Sequence, residues 1–207
     1  MNSKVKRRLA ICGCAVAGTV VGYGWYLQSH SLVFNESFWS HAHCIKGGGM
    51  SLQTYAHEHA GRFPFHTNGY GDALLLVNAG WDAALTGPGY DTRVFDRARK
   101  TGEDANEIEF GRVYVQGLSV TDPPEIAILF DKIPTPGGDH CHMLRRLFAP
   151  LGREVWTIGS GMRFVPETEW SSYSKAQIDM LVKAGISKEQ AERYYSEEVK
   201  SQTRGIR

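Results

Sequence analysis

A concentrated excess of positive charge is absent from this chain of 207 residues. Lys and Arg number 23 against 22 Asp and Glu, and four of the basic residues, Lys4, Lys6, Arg7 and Arg8, fall within the first eight positions. Outside that cluster 19 basic residues face 22 acidic ones, which leaves a net charge of −3. Because recognition of a phosphate backbone needs clustered Lys and Arg, the composition excludes a nucleic-acid partner.

Motifs that mark common enzyme classes are also missing. The sequence contains no GxSxG, HExxH, P-loop or dinucleotide-binding fingerprint and no internal repeat. Its composition is not that of collagen, a coiled coil or a disordered chain. These absences favour an ordinary globular domain without enzymatic activity.

Charge is absent from one long stretch near the N-terminus. Residues 9–27 read LAICGCAVAGTVVGYGWYL, and no acidic residue occurs before Glu36. Nineteen helical residues at about 1.5 Å each span roughly 28 Å, which is close to the thickness of a bilayer core. The basic residues lie before this stretch, and Tyr23, Trp25 and Tyr26 lie at its end. This order predicts one transmembrane helix in the inner (cytoplasmic) membrane, with the C-terminal part extracytoplasmic.

Two other interpretations of the N-terminal segment stay open. Small residues at Gly22 and Gly24 could admit a signal peptidase, and Cys14 lies in a loose lipobox. Gly18 and Gly22 also form a GxxxG pair, which would let two membrane helices approach closely and make a homo-oligomer. Glycine is common in single membrane spans, however, so the pair does not require a partner.

The remaining chain predicts helices followed by an antiparallel sheet. Apolar residues at helical spacing indicate a helix over residues 36–60, in which Gly47, Gly48 and Gly49 call for either a break or close packing. Shorter helices are expected over residues 72–78 and 92–101, with a turn over 86–90. Residues 108–115 and 125–131 have strand composition, and residues 154–158 and 162–165 flank a Gly-Ser-Gly turn as a hairpin.

Two helices are predicted at the C-terminal end. Ser174 with Gln177, and Ser187 with Gln190, have the spacing of capping boxes, and Gly185 between them is a C-terminal stop. The sequence therefore predicts an α+β fold: an N-terminal transmembrane helix, a soluble helix packed on a small antiparallel sheet, and a C-terminal helical hairpin.

Two segments carry a family resemblance. HCIKGGGMSLQTYAHEHAGRFP (residues 43–64) resembles the bacterial prepilin-like proteins related to type II secretion pseudopilins. Their N-terminal helix ends in a Cys, a Tyr and then Gly-Arg-Phe-Pro, and the matching residues here are Cys44, Leu52, Tyr55, Gly61, Arg62, Phe63 and Pro64. Residues 128–140 followed by 153–170 are similar to the C-terminal element of that family. The family's Asp-Gly is Gly159-Ser160 here, and the prepilin cleavage motif is missing.

The resemblance implies a membrane helix that extends into a soluble helix packed on an antiparallel sheet. Its expected partners are the lipid bilayer and proteins of an envelope or secretion assembly. The predicted organisation is a basic cytoplasmic flank (1–8), a transmembrane helix (9–27), a pseudopilin-like α+β domain (28–170), a helical hairpin (171–200) and a frayed tail (201–207).

Histidine and cysteine cluster at two places in the sequence. Imidazole and thiolate are ligands for Zn²⁺ or Cu, so His41 and His43 could join His140, Cys141 and His142 in one metal site. Cys44 and Cys141 could instead form a disulfide in an oxidising compartment. Buried thiols and exposed or hydrogen-bonded histidines are the simpler alternative to both.

A hydrolytic site is the other alternative. Asp131, Asp139, His140 and His142 lie close together in the sequence, and a glycine-rich turn presents the last three for acid–base chemistry. A surface loop without catalytic function explains the same residues. A metal-binding or hydrolytic domain is therefore the alternative to a non-enzymatic assembly protein.

Overall fold

A computed structural model describes residues 44–77, 82–87, 94–102, 111–137 and 148–196, together with Thr19. The chain divides into two compact units, Met1–Trp39 and Ser40–Arg207. Apart from Thr19, every described residue belongs to the second unit, and the fold below is that unit's.

The described helices and strands follow one another as two groups. Four helices come first: α1 (Ile45–Glu58), α2 (Tyr70–Leu75), α3 (Asp82–Thr86) and α4 (Val94–Thr101). Five strands follow: β1 (Arg112–Tyr114), β2 (Ala127–Asp131), β3 (Thr135–Pro136), β4 (Leu151–Thr157) and β5 (Met162–Pro166). Two further helices, α5 (Glu167–Lys183) and α6 (Lys188–Tyr195), end the described part.

The five strands form one antiparallel sheet. Strand β1 pairs with β2, β2 with β4, and β4 with β5, while the two-residue β3 pairs with the start of β4. Every residue of β2 is buried, as expected for a strand with neighbours on both sides and helices on both faces. The predicted strand over 125–131 and the predicted hairpin over 154–165 are confirmed.

Helix α1 packs against one face of the sheet through its glycines. A Cβ on Gly48 would come within 2.9 Å of the Ala84 carbonyl oxygen and 3.0 Å of a Leu129 methyl, and a Cβ on Gly49 would overlap the Trp156 indole. Leu129 and Trp156 are cross-strand partners on β2 and β4, so they share a face of the sheet. The glycine triplet therefore does not break α1. Because these residues have no side chains, the helix backbone can pack closely against the sheet.

The opposite face of the sheet is covered by the hairpin of α5 and α6. The Phe130 ring stacks on Tyr195 of α6 at 4.6 Å between centroids and lies 5.6 Å from the Trp170 ring of α5. Gln177 is buried and holds α5 to the start of β2, accepting from the Ala127 N–H at 2.9 Å and donating to the Glu125 carbonyl at 3.1 Å.

The two predicted capping boxes have different outcomes. Ser187 is the N-cap of α6, and its hydroxyl accepts from the Gln190 N–H at 3.2 Å, as predicted. The predicted start of the preceding helix at Ser174 is wrong, because α5 already begins at Glu167 with Pro166 as its N-cap. Ser174 lies inside the helix, where its hydroxyl donates to the Ser171 carbonyl.

The mixed helix and antiparallel-sheet architecture predicted from the sequence is confirmed. Of the predicted helix over 36–60, the described part is helical from Ile45 to Glu58, and residues 36–43 lie outside the described residues. The helix expected over 72–78 runs from Tyr70 to Leu75, and α3 was not predicted. No helix among the described residues combines the length and apolar composition needed to cross a membrane.

Candidate functional site

Nearly all of the side chains proposed from the sequence as a site lie outside the described residues. They are the possible metal ligands His41, His43, His140, Cys141 and His142, and the proposed membrane-helix contacts Gly18 and Gly22. Cys44 is described: it is the N-cap residue of α1 and is 8% exposed. Because Cys141 is outside the described ranges, the Cys44–Cys141 disulfide stays a prediction.

The histidines of the described ranges do not converge on one point. His59 stacks on Tyr55 at 3.8 Å between ring centroids, and its Nδ1 lies 2.8 Å from the Tyr55 carbonyl oxygen. His66 lies between α1 and α2 in the sequence, and its Nδ1 is 3.4 Å from an Asp72 carboxylate oxygen. Within the described ranges, no three His, Cys, Asp or Glu side chains are grouped so that they could hold a metal ion.

A buried ion pair lies on the α1 face of the sheet. Arg112 of β1 and Asp131 of β2 are cross-strand partners, and the Arg112 Nε donates to Asp131 Oδ1 at 2.9 Å. Their side chains are 0% and 2% exposed. The Arg112 Nη1 also donates to the Ala84 carbonyl of α3, so the pair ties a helix to two strands.

Asp131 also contacts β4, the strand on the other side of β2. Its second carboxylate oxygen, Oδ2, accepts from the Glu154 backbone N–H at 3.1 Å, and Glu154 is itself 3% exposed. Asp131, one of the residues considered for acid–base chemistry, is therefore buried in contacts that join β1, β2 and β4.

A second charged cluster lies on the hairpin face of the sheet. Arg153 of β4 donates from Nε and Nη2 to the two carboxylate oxygens of Glu167, at 3.1 and 3.2 Å, and from Nη1 to the Lys132 carbonyl at 2.7 Å. The Arg153 guanidinium also lies 4.4 Å from the centroid of the Trp170 ring. A small recess lies between the sheet and the hairpin, and its lining includes Arg153, Lys132, Phe130, Trp170 and Tyr195.

Tyrosines surround this cluster, and burial changes their acidity. Burial raises the pKa of Tyr173 to about 12 against a partial lowering by Arg163, whose guanidinium lies 5.5 Å from the Tyr173 ring. Burial likewise raises the pKa of Tyr70 to about 12 and the pKa of Tyr195 well above its usual value. These phenols therefore stay protonated at physiological pH.

Sequence reasoning missed both charged clusters. The partners of each pair are distant in sequence: strand register brings Arg112 to Asp131, and the start of α5 directly after β5 brings Glu167 to Arg153. The available signal was an Asp at the end of the buried strand EIAILFD, since a carboxylate next to a fully apolar run needs a partner when it is buried. The candidate site of the described residues is the recess lined by Arg153 and Trp170, together with Glu167, which is paired with Arg153.

Comparison with known proteins leaves the site to be interpreted from its own geometry. No protein-family model, no curated protein and no solved structure matches this chain.

Proposed function

We propose that this chain is a non-enzymatic component of a secretion or envelope assembly, anchored by residues 9–27 in the inner membrane with a pseudopilin-like α+β domain on the extracytoplasmic side. The observation that carries the proposal is the packing of α1 on the antiparallel sheet. The GGG triplet brings the α1 backbone against Leu129 and Trp156, and an N-terminal helix seated on such a sheet is the architecture that the family resemblance implies.

The buried polar groups support a structural purpose for the domain. Arg112 is paired with Asp131, Arg153 with Glu167, and Gln177 with the backbone of the sheet. Each of these interactions ties two elements together, so the polar interior stabilises one arrangement of helices and strands. A rigid domain of this kind suits a protein that acts through contacts with others.

Exposed apolar side chains provide a surface for such contacts. Phe148 is 90% exposed and Leu151 is 53% exposed. Leu151 is the first residue of β4 and the cross-strand partner of Pro136, and Phe148 lies three residues before it. Contact between water and large apolar groups is unfavourable, so their burial by a partner protein would favour binding.

Membrane fractionation combined with site-specific cross-linking tests the proposal. The full-length chain should remain in the membrane fraction after an alkaline carbonate wash, and a photoreactive residue at position 148 should give discrete adducts with other envelope proteins in intact cells. The same residue at the exposed position of Lys183 on α5 is the matched control. Recovery of the intact chain in the cytosol, or equal adducts at both positions, would contradict the proposal.

A further inference from the structure

An asparagine stands directly before a glycine in the loop between α1 and α2. The chain has five asparagines, and the residues that follow them are Ser3, Glu36, Gly69, Ala79 and Glu107. A glycine after asparagine has no side chain to shield its backbone nitrogen from the asparagine carboxamide. Among these five pairs, Asn68-Gly69 therefore has the least steric protection against attack of the backbone on the side chain.

The turn itself calls for the glycine of this pair. Gly69 is the N-cap residue of α2 and has φ 150° and ψ 178°. Residues with a side chain rarely adopt this combination, whereas glycine adopts it readily. Any other residue at this position would strain the start of α2, so the backbone geometry places a glycine directly after Asn68.

The Asn68 side chain is turned towards the residues that follow it. Its Nδ2 donates to Asp72 Oδ2 at 3.1 Å, and Asp72 lies in the first turn of α2. The carboxamide therefore lies on the side of the loop where the chain continues into Gly69. Asn68 is also exposed, so water reaches its side chain.

The Gly69 N–H makes no hydrogen bond that would hold it back from reaction. Within the part of the chain that the structure describes it has no acceptor, while the Gly69 carbonyl accepts from the Ala73 N–H at 3.2 Å. This is usual at a helix start, where the first N–H groups have no partner within the helix. No hydrogen bond to a described residue has to break before the Gly69 nitrogen can attack.

We propose that Asn68 is a site of spontaneous deamidation in the folded protein, through a cyclic imide formed with Gly69. The Gly69 nitrogen gives its proton to solvent and forms a bond to the Asn68 Cγ. The bond between Cγ and Nδ2 breaks, and Nδ2 leaves as ammonia after taking up one proton from water. A water molecule then opens the imide at either carbonyl, which leaves aspartate or isoaspartate. This modification site is independent of the proposed function.

The modification changes the start of α2. A carboxylate at position 68 replaces the donor to Asp72 with a like charge. Isoaspartate also adds one carbon to the backbone directly before Gly69. Because the Gly69 carbonyl accepts the hydrogen bond of the Ala73 N–H, the added carbon displaces an acceptor that begins the helix. The first turn of α2 should therefore open more readily in the modified chain.

Peptide mapping by mass spectrometry tests the modification in the full-length chain. The protein is incubated for weeks at neutral pH and physiological temperature, and fragmentation of the peptide backbone distinguishes isoaspartate from aspartate. The matched control is Asn68→Gln, which keeps the carboxamide but forms a larger imide ring. Position 68 of the wild type should gain the mass difference between an amide and a carboxyl group. The control and the other four asparagines should convert at least about tenfold more slowly.

The same incubation in guanidinium chloride gives the rate in the unfolded chain. Because the loop already exposes the Asn68 side chain, folding should slow the reaction there by less than about tenfold. A larger reduction, or no isoaspartate at position 68 of the folded chain, would overturn the proposal. Conversion of Asn68→Gln at the wild-type rate would overturn it as well, since the imide with Gly69 would then not be the intermediate.

Hydrogen exchange on the incubated wild type tests the effect on α2. Isoaspartate at position 68 should speed exchange of the Ala73 amide by about tenfold or more, because its acceptor is displaced. The Ala191 amide, which donates to the Ser187 carbonyl at 2.9 Å in α6, is the internal control and should be unchanged. Equal exchange of Ala73 before and after conversion would contradict this effect.

Discussion

At the scale of single residues, Gly49 of α1 has no room for a side chain. A methyl group at this position would overlap the Trp156 indole, which is 4% exposed and has packed neighbours on the sheet. We expect Gly49→Ala to lower the free energy of unfolding by about 1 to 2 kcal/mol, because overpacking against a rigid indole costs about 2 to 3 kcal/mol and exceeds the roughly 1 kcal/mol gained in helix propensity. Urea denaturation followed by circular dichroism measures the change.

The matched control for Gly49 lies on the same helix. His57 is exposed, so His57→Ala should change the free energy of unfolding by no more than about 0.5 kcal/mol. If Gly49→Ala were as stable as His57→Ala, the close approach of α1 to the sheet would be wrong.

The buried ion pair supports a second prediction at this scale. Asp131→Asn removes the charge that neutralises Arg112, whose side chain is fully buried. Breaking one side of a buried pair typically costs about 3 to 5 kcal/mol, and we expect a loss of that order in urea denaturation. Asp179→Asn, on the exposed face of α5, is the control and should be nearly neutral; comparable losses in the two variants would argue against the pairing.

The sequence could predict some of these residues and not others. The glycine triplet left two possibilities, a break in the helix or close packing, and the local pattern cannot choose because the answer depends on Trp156, which lies 107 positions further along. The Arg112–Asp131 and Arg153–Glu167 pairs depend on strand register and on where α5 begins. Neither is encoded in a short sequence window.

At the scale of elements, strands and helices with local signals were predicted best. Strand β2 is a continuous apolar run, and α6 begins at a side-chain cap. The predicted N-cap of α5, Ser174, lies eight residues after the actual N-cap, Pro166, because the start of the helix has no side-chain cap and β5 runs directly into it. Glu167 and Glu169 favour the first turn of α5 through the helix dipole.

The two serines at the predicted caps give a test at this scale. Ser187→Ala removes the acceptor for the Gln190 N–H and should destabilise the domain by about 1 kcal/mol. Ser174→Ala changes an internal residue of α5 and should be neutral or slightly stabilising, because Ala has the higher helix propensity. Thermal unfolding of the two variants side by side measures both effects. The reverse order of stabilities would restore a helix start at Ser174.

At the scale of the whole molecule, the buried tyrosines make stability depend on alkaline pH. The pKa values of Tyr70 and Tyr173 rise from 10.0 to about 12 on folding, so the folded state keeps their protons where the unfolded chain releases them. The stability that depends on these bound protons is fully present below about pH 10 and is lost as the pH rises towards 12. Each contributes a slope of at most about 1.4 kcal/mol per pH unit in this window.

Urea denaturation at several pH values between about 8 and 11, at constant ionic strength, should show this loss of stability. Tyr173→Phe removes one titrating group and should flatten the decrease between pH 10 and 11. An unchanged pH profile in that variant would mean that Tyr173 is as acidic in the folded protein as in the unfolded chain.

The second compact unit, Ser40–Arg207, should fold without the first. Its sheet is covered on one face by α1 and on the other by α5 and α6, and the large buried side chains of the described part, including Phe95, Tyr114 and Phe130, all belong to this unit. A domain that supplies both layers of its own core needs no further segment to bury its apolar surface. The fragment Ser40–Arg207 should therefore unfold in a single cooperative urea transition with the same midpoint as the full-length chain. A broad transition, or binding of a hydrophobic dye by the fragment at neutral pH, would mean that residues before Ser40 complete the core.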